Sequence, residues 1–176
     1  MRRTLLAVPV VALLGVGLTL PATSVGGHEP TCATALSSGA YNVIHGAGAI
    51  VGTNGNDVII GSAGADSVAA GNGDDVVCGL GGADSIDGGN GADLLLGDVC
   101  TGCGVDPGAP GADAVSGGNG NDRVWGDEGA DVLTAGNGDD ALFGGNPGGD
   151  GDETDACDGG RGTDTAARCD TVSQVP

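Results

Sequence analysis

The chain has 176 residues, 24 of them acidic and five basic, for a formal net charge of −19. So acidic a balance excludes nucleic acid and anionic membrane surfaces as partners, because both need a basic face, and it favours cations. Thirty-nine glycines beside one Trp, one Tyr and one Phe exclude an ordinary globular core, since glycine loses much backbone entropy on ordering and has no side chain to pack.

The first segment stands apart from the folded body. Arg2 and Arg3 precede an apolar run from Thr4 to Leu20, which ends in a short Pro-Ala-Thr-Ser region, the three-part layout of a secretory signal. The run is short for a membrane span and has no basic stop-transfer cluster, so residues 1–24 are read as a cleaved signal. The mature protein is then expected to be secreted and extracellular, without stable membrane insertion. Residues 25–51 read as an N-terminal cap segment, in which His45 takes a capping role.

From residue 52 the chain repeats. Gly88 to Leu96 (GGNGADLLL) and Gly117 to Trp125 (GGNGNDRVW) fit the nine-residue template G-G-x-G-x-D-x-U-x, where U is a bulky aliphatic. Sliding it along the chain places an aspartate at position six in Asp57, Asp66, Asp75, Asp84, Asp93, Asp113, Asp122, Asp131, Asp140, Asp155 and Asp164. Position eight reads Ile59, Val68, Val77, Ile86, Leu95, Val115, Val124, Leu133 and Leu142, then weakens to Cys157 and Ala166. Repeats of this period belong to solenoids, in which no unit can bury its apolar face alone. The x-U-x triplet is a short strand with U inward, and the six preceding residues make a glycine-dependent turn.

A longer period underlies the nonapeptide. Asn54, Asn72, Asn90, Asn119 and Asn137 occupy position three of alternate units, while Ala65, Ala83, Ala112 and Ala130 occupy position five of the others. One coil is therefore 18 residues, with chemically different edges. The alternation survives an insertion near 97–107, which should loop out; a second insertion lies near 144–154. Turns two units apart stack, bringing position-six carboxylates and main-chain carbonyls together as an all-oxygen ligand set suited to calcium.

These repeats resemble the calcium-binding nonapeptides of the RTX, or haemolysin-type, family. The resemblance implies an all-β fold, a right-handed parallel β-roll over residues 52–167 with a tail at 168–176, and calcium held between stacked turns by the eleven aspartates. Pairing each turn with the one two units on gives several ions, about five to nine. Assembly of ligands only in the folded state implies that calcium drives folding.

The alternate triplets VII, VVC, LLL, RVW and ALF place Ile60, Cys78, Leu96, Trp125 and Phe143 on the outside of the roll. Such a stripe should be covered, either by the segment from Thr31 to Val51 or, around Trp125 and Phe143, by a protein partner or second copy. Six cysteines in an exported chain read as disulfides. Cys157 with Cys169 brackets the last unit, Cys100 with Cys103 forms a local bridge or half of a zinc site, and Cys32 with Cys78 remains.

No H-E-x-x-H or G-x-S-x-G motif is present, and the Asp pairs recur at fixed phase as ligands rather than acid/base dyads, so the chain is not expected to be an enzyme. The leading expectation is a secreted calcium-binding protein with a structural or interaction role. The alternatives are an ice-binding or adhesive β-roll surface and an accessory module of an extracellular enzyme.

Overall fold

A computed structural model describes residues 40–98, 108–145 and 154–175. The signal segment, Cys32, Cys100 and Cys103 lie outside the described residues. Fourteen short strands follow one another in this part of the chain: β1 (Asn42–His45), β2 (Ala49–Val51), β3 (Asp57–Ser62), β4 (Ser67–Asn72), β5 (Val76–Leu80), β6 (Ser85–Asn90), β7 (Leu94–Leu96), β8 (Ala114–Asn119), β9 (Arg123–Asp127), β10 (Val132–Asn137), β11 (Ala141–Gly145), β12 (Ala156–Arg161), β13 (Thr165–Ala167) and β14 (Thr171–Ser173). Odd-numbered strands form one seven-stranded parallel sheet and even-numbered strands another. The chain crosses from sheet to sheet at every turn, which makes it a parallel β-roll.

Register follows the repeat. Ile59 pairs with Val77 and Val68 with Ile86, so U residues stack on U residues. The register holds across both insertions, since Ile86 pairs with Val115 across the first and Leu133 with Cys157 across the second.

The sheets extend past both expected ends. β1 and β2, within the segment read as a cap, pair with β3 and β4, and β14, within the expected tail, pairs with β12. The first coil escapes the template because its position six is Gly48, which has no carboxylate. His45 is an exposed residue of β1, the terminal strand of its sheet.

Inside the roll, Ile50, Ile59, Val68, Val77, Ile86, Leu95, Val115, Val124, Leu133 and Leu142 form one continuous core, joined by Cys157. Roughly one aliphatic side chain per strand gives each coil only about 3 to 6 kcal/mol of burial. Even strands alternate, with Val68 buried between exposed Ser67 and Ala69, as a half-solvated sheet should. Odd strands differ. Val58, Ile60 and Cys78, which flank U and face away from the core, are fully buried in a second cluster with Leu80, Leu96 and Trp125. Tyr41, from the N-terminal segment, packs against this cluster, as does Phe143, stacked on Trp125 with ring centroids 4.8 Å apart. Cys78 is disulfide-bonded to a cysteine outside the described residues. Cys157 and Cys169 are bridged, closing the C-terminal end of the roll.

Candidate metal centre

The turns between strands stack into two ladders, one along each edge of the roll. Along the first, the Asp57 N–H donates to Asp75 Oδ1 at 2.8 Å, and the pattern repeats from Asp75 to Asp93, Asp93 to Asp122, Asp122 to Asp140 and Asp140 to Asp164. Along the second it runs from Asp66 to Asp84, Asp84 to Asp113, Asp113 to Asp131 and Asp131 to Asp155. All eleven position-six aspartates thus fall on these two lines, in nine stacked pairs, and the insertions only lengthen the sequence step from 18 to 29 or 24 residues.

In all but Asp57, one oxygen of the carboxylate is spent on this ladder. The other is not. Oδ2 of Asp75, Asp84, Asp93, Asp113, Asp122, Asp140 and Asp164 is buried, and no donor among the described residues reaches it. A buried acceptor without a donor is costly, and a charged one more so. Asp57 and Asp66 differ. The Thr53 N–H and hydroxyl reach Asp57 Oδ2 at 2.6 and 3.0 Å, and those of Ser62 reach Asp66 Oδ2 at 2.7 and 3.0 Å.

The space around the orphaned oxygens is lined by more oxygen. A Cβ placed on Gly88 would lie 2.6 Å from both Asp93 Oδ2 and the Gly117 carbonyl of the next coil, and one on Gly117 would lie 2.5 Å from Asp122 Oδ2 and 2.6 Å from the Ala135 carbonyl. The glycine at position one therefore keeps open a cradle into which a carboxylate and a carbonyl both point. Among the described residues no three His, Cys, Asp or Glu side chains are grouped to hold an ion by themselves. Carboxylates must combine with main-chain carbonyls, which is the hard-oxygen, multidentate set that suits calcium.

Electrostatics agrees with that need. Burial pushes Asp75, Asp84 and Asp122 up to about 6 and Asp93 and Asp113 up to about 7, partly offset by the ladder N–H and reinforced by neighbouring ladder charges. Asp140 moves the same way for the same first cause. A nearby dication would reverse this by favouring the ionised form.

Comparison with known proteins now bears on these repeats. The model of the RTX calcium-binding nonapeptide repeat, in four copies, matches residues 46–77, 79–99 and 108–146, more than half of the chain. The chain belongs to the RTX calcium-binding nonapeptide repeat family. No curated protein and no solved structure matches it significantly. Its RTX repeats are calcium-binding repeats folded as a β-roll, and their stacked turns are where the ladder carboxylates meet the carbonyls.

Within this RTX roll two acidic residues escaped the repeat template. Asp170 accepts the Asp155 N–H through Oδ2 at 2.9 Å and extends the second ladder by one rung; its unit is too degenerate in sequence to register. Asp98 is 2 % exposed, with Oδ1 accepting the Gly111 N–H at 3.2 Å and Oδ2 reached by no donor. The first insertion hid it. Gly97 lies against Asp113 and the Gly126 carbonyl just as Gly88 lies against Asp93 and Gly117, so the inserted residues fall inside one turn and Gly97 and Asp98 are its positions one and two. Burial, then the Asp113 charge, push Asp98 up to about 8.

Proposed function

We propose that this protein is an exported calcium-binding β-roll, that calcium ions occupy the gaps between its stacked turns, and that the roll forms as they bind. The observation that carries the reading is the row of buried carboxylate oxygens without donors, those of Asp84, Asp93, Asp113, Asp122 and Asp164 lying beside a carbonyl of the next coil. Nine stacked aspartate pairs bound the occupancy, and about five to nine ions fit them. An inner core of one aliphatic residue per strand, supplemented by an outer cluster on the odd sheet alone, couples folding to ligand, as in domains whose sites are assembled only when folded.

Export is supported by the basic-then-apolar N-terminus and by the Cys157–Cys169 bridge, which persists in oxidising surroundings. Outside the cell calcium stands near the range at which weak modules saturate. The role is structural or interactive rather than catalytic. A partner at the Trp125/Phe143 face would meet mainly Phe143, since Trp125 is 7 % exposed.

Far-UV circular dichroism of the oxidised protein in EDTA, titrated with calcium and separately with magnesium, tests the reading. A cooperative rise of β signal with calcium alone is expected; full structure in EDTA, unchanged by calcium, would overturn it. One feature favours a second reading, an adhesive or ice-binding surface. Asn72, Asn90, Asn119 and Asn137 each donate from Nδ2 to Oδ1 of the Asn one coil earlier at 2.8 to 2.9 Å, forming an exposed ladder.

A further inference from the structure

We infer that Asp98 and Asp113 together form a paired-carboxylate cation site, in which the position-two carboxylate stands on backbone that is not left-handed, unlike Asp127 in the next coil. The inference rests on the calcium-binding reading above and adds to it a ligand that the nonapeptide template does not contain.

The argument comes from comparing what stands at position two. Gly71, Gly89, Gly118, Gly136 and Gly160 hold it with left-handed backbone, as do Leu80 (φ 88°) and Asp127 (φ 73°). Thr53, Ser62 and Asp98 do not adopt that conformation, so these three share a turn of the other kind. In the Thr53 and Ser62 turns the side chain is a hydroxyl, and it donates to the carboxylate of the same turn, which is why Asp57 and Asp66 lack an orphaned oxygen. Asp98 stands in that place with a group that can only accept when ionised. Asp113 Oδ2 and Asp98 Oδ2 are both buried and both without a donor, inside a turn that also presents the Gly126 carbonyl. Nothing else in the described turn supplies a positive charge.

Two carboxylates and a carbonyl in one dry turn call for a divalent cation. Charge count tunes calcium affinity in oxygen sites. This turn therefore binds more tightly than turns with a single carboxylate, and the Gly111 N–H holds Asp98 Oδ1 in place beside it.

The test compares the parent with D98N and D98S by native mass spectrometry at saturating calcium and by calcium titration. D98S is chosen because Ser62 already fills the equivalent position in a well-formed turn, so it remains decisive if D98N does not fold. The expected result in each variant is loss of the tightest step of the titration, with no change in the remaining steps. Superimposable titrations would overturn the inference while leaving the calcium reading intact, and would mean that a proton bridges the pair. A parent that binds no calcium would overturn both.

Discussion

In EDTA, acidification should build the roll rather than destroy it. Asp75, Asp84 and Asp122 titrate near 6 in the folded protein, Asp93 and Asp113 near 7 and Asp98 near 8, each raised from 3.8 chiefly by burial. A carboxyl whose folded pKa lies above its unfolded one binds more protons when folded. Its contribution to stability is complete below about 3.8 and is lost as pH rises through 6 to 8. With six such groups, folding near pH 5.5 takes up on the order of four to six protons. Each is worth 1.36 kcal/mol per pH unit before screening, so after halving for solvent the slope reaches about 4 kcal/mol per unit. That exceeds the burial energy of any single U residue and is enough to fold or unfold a marginal apo chain. Circular dichroism in EDTA from pH 8 to pH 5.5 reads the effect, and proton uptake measured on folding gives the count. In calcium the trend inverts, because protons compete for the same oxygens and the calcium midpoint rises as pH falls. Apo structure that is indifferent to pH over this range, or that melts on acidification, would refute the reasoning.

Two further outcomes separate the stacking of turns from their ligation. Gly91 has φ +137°, and a Cβ there would be driven into the Gly73 carbonyl of the preceding coil, so G91A should cost more than about 3 kcal/mol; Gly55 occupies the same position in a turn with nothing within 4 Å, and G55A should fall within about 0.5 kcal/mol of the parent in the same urea titration. N90A removes two ladder hydrogen bonds at exposed positions, to Asn72 and from Asn119, and should cost about 1 kcal/mol while leaving ion count and calcium midpoint unchanged.

The two periodicities made most of this architecture readable from sequence. Asp at position six and an aliphatic at position eight mark a turn and a strand by local chemistry alone, and the 18-residue alternation of Asn54, Asn72 and Asn90 correctly separates the two edges. What escaped depends on contacts between coils. β1 and β2 carry no position-six carboxylate, yet the Gly48 N–H joins the ladder by donating to Asp66 Oδ1. Asp98 carries no signal in the repeat, because inserted residues within its turn break the count that a template relies on; its place follows from Gly97 lying against Asp113. The burial of Ile60 and Cys78 on the outer face of one sheet could be expected only as a need for cover; Tyr41 meets part of that need from a segment with no repeat signature.

The ladders also have a direction. At every step an aspartate N–H is satisfied by the carboxylate of the coil that follows it in sequence, never by the one before. In a chain delivered N-terminus first, each newly emerged turn must therefore wait, open, for its successor. Closure lags one coil behind delivery, and the molecule becomes whole only when its last turn arrives. Asp170 supplies the last rung of the second ladder, next to the Cys157–Cys169 bridge, so the covalent lock lies beside the closures that come latest among the described residues.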